Sequence, residues 1–160
     1  IVDAVAPLPV LGAGGVGRGR QLAAALVLGC EGGWTGSLWL KTIQSEVIPE
    51  IKQKMFESEA SDAVLTATVT GKPCRTLRNA FSSAWDAPGA PATLPAPSQN
   101  YLWWQEGRTR VERVRAKEFL TYPVGQVLGD MNEEASVRDV VYELLNEMLE
   151  AKDRLDDLLG

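Results

Sequence analysis

The amino-acid sequence predicts an α/β fold built on a parallel strand–helix–strand unit, and three observations carry that expectation. Pro9–Ala13 is a short apolar run that reads as a buried strand, followed by a turn over Gly14–Gly19. Arg18–Leu28 has the small-residue, apolar spacing of a helix and is closed by Gly29, a residue suited to the left-handed helix stop. Gly33–Gly36 then reads as a second short strand, with Trp34 packed against the core and Gly36-Ser37 at its end. Strand, helix and strand in that order build parallel sheets.

The rest of the chain follows element by element. Ser45–Glu59 is expected to be a helix with Pro49 in its first turn and Ile48, Ile51 and Met55 on one face. Ala63–Thr70 alternates in the manner of a strand and stops at Gly71-Lys72-Pro73. Arg75–Trp85 reads as helical. Asp86–Ser98 holds four prolines and no charge after Asp86, the composition of a linker or an extended surface arm. Tyr101–Leu120 reads as a charged helix and Tyr122–Asp130 as a second glycine-containing loop. Ser136, with Asp139 three residues on, caps a last helix. Its apolar stripe runs through Val137, Val140, Val141, Leu144, Leu145, Met148, Leu155, Leu158 and Leu159. No internal repeat is visible.

Composition narrows the function classes. The 160 residues suffice for one ordinary domain, with 45% hydrophobic and 23% charged residues. A net charge of −5 argues against nucleic acid as the main partner, because phosphate backbones are bound by clustered Lys and Arg. No apolar run approaches the roughly 20 residues that cross a bilayer, and the first ten residues lack the basic start of a secretory signal. Cys30 and Cys74 are too few for a disulfide scaffold; both are expected to be buried, in a cytoplasmic protein. The chain has no His, so neither Ser-His-Asp nor Cys-His catalysis, nor a His-ligated zinc, arises within it. It also has no initiating Met and is expected to be part of a longer protein.

The glycines carry the chemistry. A glycine turn after a strand lets the main chain approach an anion closely, and the helix that follows adds favourable partial charge at its N-terminus. Gly12, Gly14 and Gly17 spell G-x-G-x-x-G, the dinucleotide fingerprint. That fingerprint also needs an acidic ribose ligand at the end of the second strand. Glu31 comes before that strand, and Thr35-Gly36-Ser37 stands at its end. Two neighbouring small-residue turns around one phosphate are instead the arrangement of the last two strands of a (β/α)8 barrel. Dinucleotide binding and purely structural glycines stand as the alternatives.

AGGVGRGRQLAAALVLGCEGGWTGSLWL, the later TGKPCRTLRNAF and the GQVLG near the C-terminus resemble, in order, motifs of the nitronate monooxygenase family, also called the 2-nitropropane dioxygenase family. The whole chain is similar to the C-terminal part of such an enzyme, and its actinobacterial branch resembles it most. The resemblance implies an α/β fold: the C-terminal portion of a (β/α)8 TIM barrel plus a mostly helical cap segment. Residues 1–60 would be the last two βα units, residues 61–130 a cap with the Pro-rich linker 86–98, and residues 131–160 a C-terminal amphipathic helix. It implies FMN as cofactor. Ala13, Gly14 and Gly15 match the loop that holds the FMN phosphate, Gly36 and Ser37 match the second phosphate turn, and Gln126 is placed near the cofactor mouth. The family's catalytic His lies on an earlier strand and has no counterpart here, so no catalytic residue is assigned.

That family oxidises alkyl nitronates with O2. Flavin-dependent NAD(P)H:quinone reductases, enoyl reductases and CoA-ester dehydrogenases of the same fold are alternatives, and a non-catalytic fragment or accessory subunit is an alternative of another class. The implied partners are a small-molecule substrate and the missing N-terminal half of the barrel, since two strands alone leave open edges. The last helix is read as core or homodimer packing, not as a membrane anchor. The Arg108–Lys117 charge run is read as a solvated helix face with internal ion pairs. Trp103 and Trp104 are read as packing residues, Arg75 and Arg78 as structural, and Cys74 as unactivated.

Overall fold

The computed structural model describes all 160 residues. In chain order the elements are α1 (Val2–Val5), β1 (Leu11–Ala13), α2 (Gly19–Val27), β2 (Gly32–Trp34), a 3-10 helix (Ser37–Lys41), α3 (Pro49–Phe56), a second 3-10 helix (Ala60–Asp62), β3 (Ala63–Thr66), β4 (Cys74–Leu77), α4 (Ala80–Trp85), α5 (Ser98–Asn100), a π-helix (Tyr101–Gly107), α6 (Arg108–Val114), a third 3-10 helix (Gln126–Asp130) and α7 (Val137–Leu159). They form two compact units, Ile1–Glu46 with Glu133–Gly160, and Val47–Asn132. No helix is long and apolar enough to cross a membrane.

In the first unit β1 and β2 pair in parallel, with Leu11 opposite Gly32, Gly12 opposite Gly33 and Ala13 opposite Trp34. The connection runs through α2, the expected strand–helix–strand order. Two glycines let α2 lie close on this sheet. A Cβ on Gly33 would come within 2.8 Å of Leu22 Cδ1, and one on Gly12 within 3.0 Å of the Ala25 methyl. Gly29, at φ +91°, ends α2 as its position implied. The long helix α7 begins where expected, with Ser136 Oγ accepting from the Asp139 amide at 3.1 Å. It packs on α2, with Leu144, Glu147 and Met148 around Gly19 at helical spacing. The approach is close because Gly19 has no side chain; a Cβ there would lie 2.0 Å from the Leu144 carbonyl oxygen.

Three expectations for this unit need correction. The strands are shorter than read, and the second ends at Trp34. Trp34 is not packed against the core but is 69% exposed, and Leu11 is 49% exposed, because a two-stranded sheet covers little of either face. Only part of the α7 stripe is buried; Leu158 and Leu159 project from its end into solvent.

The second unit has a continuous core of Ile51, Met55, Leu77, Leu120, Leu128 and Met131, each at most 1% exposed. Each such side chain contributes about 1.5–3 kcal/mol of transfer free energy. α3 is shorter than expected; Pro49 occupies its first turn, where a missing N–H costs nothing. The alternation that read as one strand over Ala63–Thr70 is a strand only to Thr66, and it turns back through Gly71 at φ +77°. β4 then pairs antiparallel to β3, Ala63 opposite Leu77 and Thr66 opposite Cys74. The helix expected over Arg75–Trp85 is therefore strand through Leu77 and helix only from Ala80. Asn79 marks the change: its side-chain oxygen accepts from the Ser82 amide at 2.6 Å and starts α4 at Ala80.

The helix expected over Tyr101–Leu120 opens as a π-helix and stops at Arg115, which adopts the left-handed conformation at φ 52°. Gly107 is needed there, because a Cβ would meet Trp103 at 2.8 Å. Trp103 is buried and stacks on Phe81 with ring centroids 4.2 Å apart, a packing role as read. Arg108 and Arg110 pair with Glu112 and Glu106 one turn away, as expected, whereas Arg115 and Lys117 pair outside the Arg108–Lys117 run, with Glu50 in α3 and Glu57 at its end. Arg75 donates to the Ala63 carbonyl and Arg78 to Asp62, both structural. Cys30 and Cys74 are free thiols and only half-buried, where full burial was expected.

Candidate functional site

Ala13 is the last residue of β1, and Trp34, its register partner, is the last residue of β2. Parallel neighbours lie about 4.8 Å apart, so the two chain segments leave the sheet side by side and at the same end. The first segment turns through Gly14 and Gly15, with φ of +88° and +72°, values that favour glycine. The second turns through Thr35 and Gly36 into the 3-10 helix that begins at Ser37. A Cβ built on Gly14, Gly15 or Gly36 would meet nothing within 4 Å. All three glycines therefore present bare main chain to open space, on adjacent bends. Backbone N–H groups in consecutive bends of this kind can form an anion-binding concavity. Five of the six candidate residues, Ala13, Gly14, Gly15, Gly36 and Ser37, thus come together in the first unit. The sixth, Gln126, is exposed at the start of the third 3-10 helix, in the second unit.

The N-terminus of α2, beside the first bend, is occupied by the protein's own side chains. Gln21 Oε1 accepts from the amides of Gly17 at 2.8 Å and Arg18 at 3.0 Å. Glu147, reaching from α7, accepts from the Gly19 amide at 2.7 Å and pairs with the Arg18 guanidinium. The Arg18 hydrogen bond holds the Glu147 carboxyl below the usual glutamate range; burial opposes it, and the Gly19 amide reinforces it. An internal carboxylate thus sits where the helix dipole favours negative charge. The main chain left to an external anion is that of the bends.

Sequence reasoning missed Gln21, Glu147, Thr35 and Trp39. Trp39 holds the second bend: its indole N–H donates to the Thr35 carbonyl at 3.2 Å and the Thr35 hydroxyl at 3.0 Å. The i, i+4 spacing of Thr35 and Trp39 carried a readable signal. Glu147 left none, being 128 residues from its Gly19 partner.

The dinucleotide alternative lacks its ribose ligand here. Glu31 precedes β2, and the residues after β2 are Thr35, Gly36 and Ser37. Gly12 serves the close approach of helix and sheet described above. No group of His, Cys, Asp and Glu side chains is placed to hold a metal ion.

The family model for nitronate monooxygenase matches residues 1–147. "Putative monooxygenase Rv1533" of Mycobacterium tuberculosis is 42% identical over 165 residues, covering 99% of this chain and 44% of that protein. A "Probable nitronate monooxygenase" of Bacillus subtilis is 31% identical, covering 88% of this chain and 40% of that protein. Among solved structures, nitroalkane oxidase from Streptomyces ansochromogenes superposes with a TM-score of 0.81 at 30% identity, over 96% of this chain and 42% of that one. FabK from Thermotoga maritima gives 0.76 at 26% identity, over 98% of this chain and 49% of that one. The chain spans less than half the length of the relatives it matches. Its fold is a portion of a (β/α)8 barrel with a mixed, mostly helical second unit.

Proposed function

Because the chain belongs to the nitronate monooxygenase family, we propose that the complete protein is an FMN-dependent oxidoreductase that oxidises alkyl nitronates with O2. This chain supplies the end of the barrel that holds the FMN phosphate. One observation carries the reading: the parallel register that sets Ala13 beside Trp34 brings two open glycine bends to one edge of the sheet. A flavin, when bound, supplies the electron transfer. The chain's own part is placement. The Gly14–Gly15 main chain and the Gly36–Ser37 main chain grip the phosphate from two sides, and Ser37 keeps a hydroxyl there. Glu147 and Gln21 fix the start of α2, and through it the first bend.

The remaining strands of the barrel are the implied partner. They would cover Leu11 and Trp34, apolar side chains left exposed on the two-stranded sheet. The outer leucines of α7 give a homodimer a second surface to use. A cytoplasmic location suits the two free thiols.

The visible spectrum of the complete protein tests the reading. Flavin absorbance that bleaches on anaerobic addition of a nitronate is the expected result. A colourless, fully folded protein would overturn it. Bleaching by NADPH and not by a nitronate would favour the reductase alternative.

A further inference from the structure

Gly36 is the weak point of the second bend. It has no side chain, sits at φ −123° and ψ −71°, and borders open space. Left to itself, such a residue samples many backbone conformations, each aiming its amide differently. The chain answers with one side chain. Trp39 lies one turn ahead on the 3-10 helix, and its backbone amide donates to the Gly36 carbonyl at 3.1 Å. Its indole N–H reaches back over the same turn to both oxygens of Thr35. Residues 35 to 39 thus form a loop closed twice, by main chain and by indole, with Gly36 inside it.

We infer that Trp39 is a positioning residue for the phosphate site: it clamps Thr35 and so presets where the Gly36 and Ser37 main chain points before the anion arrives. The inference rests on the phosphate reading above and adds a residue to it. Preorganisation of this kind strengthens binding by removing an ordering cost, without a new contact to the ligand. The clamp has a second effect. The indole N–H occupies a lone pair of the Thr35 hydroxyl, which leaves that hydroxyl's proton for another acceptor.

The test compares two flavins that differ only in the phosphate. In the complete protein, Trp39→Phe keeps the ring and removes the N–H. Dissociation constants for FMN and for riboflavin are measured with the wild type and the variant. FMN is expected to bind about fivefold more weakly to the variant, the worth of one net hydrogen bond, with riboflavin changed by less than about twofold. An unchanged FMN constant, or an equal loss for both flavins, would overturn the role of Trp39. Equal affinity of the wild type for the two flavins would instead overturn the phosphate reading itself. Thr35→Val, which removes the hydroxyl and leaves the indole only the carbonyl of residue 35, carries the same comparison if Trp39→Phe does not fold; a smaller loss confined to FMN is expected, and none would refute the clamp.

Discussion

Replacing Gly19 by Ala puts a single methyl group into the tightest contact of the first unit. The added Cβ would lie 2.0 Å from the Leu144 carbonyl oxygen, 2.6 Å from the Met148 amide nitrogen and 2.7 Å from Glu147 Cβ. An ordinary contact needs about 3.4 Å, so α7 must retreat by roughly 1.4 Å or α2 must tilt. Neither backbone atom can rotate away as a side-chain tip could. Overpacking a tight interface costs about 1–3 kcal/mol, and immovable backbone places this site at the upper end. The retreat also lengthens the 2.7 Å bond from the Gly19 amide to Glu147. Alanine's better helix propensity returns at most about 1 kcal/mol, and less in the first helical turn than in the interior. The net expectation is a loss of about 2–3 kcal/mol. Urea unfolding reads it as a lower midpoint at an unchanged slope. A Gly19→Ala variant as stable as the wild type would show that α2 and α7 do not approach as described, and the placement of Glu147 at the first bend would fall with it.

Three further outcomes follow from the same geometry. Glu147→Gln keeps the shape but loses the charge, and should cost about 2 kcal/mol at neutral pH, since two charge-assisted bonds are weakened. The folded-state pKa of Glu147 is depressed, so its contribution is complete above the unfolded glutamate value of about 4.3 and is lost as pH falls through the folded value. The stability gap between wild type and variant should therefore stay constant at higher pH and close in acid; a gap that widens in acid would contradict the sign. A Cβ at position 15 meets no neighbour, but Gly15→Val forces a β-branched residue to φ +72°, so it should cost about 1–2 kcal/mol of stability. It should also weaken FMN by at least about tenfold relative to riboflavin, because its side chain fills the anion's space. Ser136→Ala removes the acceptor of the Asp139 amide and should lower stability by about 1 kcal/mol, measured by thermal or urea unfolding.

The features legible in the sequence are those written locally. Gly29 ends α2, Pro49 opens α3 and Ser136 caps α7, because each is a one-residue decision about backbone conformation. The strand–glycine–helix–strand order placed five of the six candidate residues on adjacent bends for the same reason. What failed was non-local. Cys74–Leu77 is too short for periodicity to separate strand from helix, and its state is set by pairing with Ala63–Thr66. The exposure of Trp34 depends on how many strands flank β2, which its own residue type does not state. Glu147 could not be linked to Gly19 by spacing, since only the packing of α7 on α2 makes them neighbours.

The direct measurement is a crystal structure of the complete protein with FMN. The account predicts the phosphate within hydrogen-bonding reach of main-chain N–H groups from both bends, Gly14–Gly15 and Gly36–Ser37, with Glu147 still on the Gly19 amide. A phosphate bound away from either bend, or one that displaces Glu147 to take the end of α2, would contradict it.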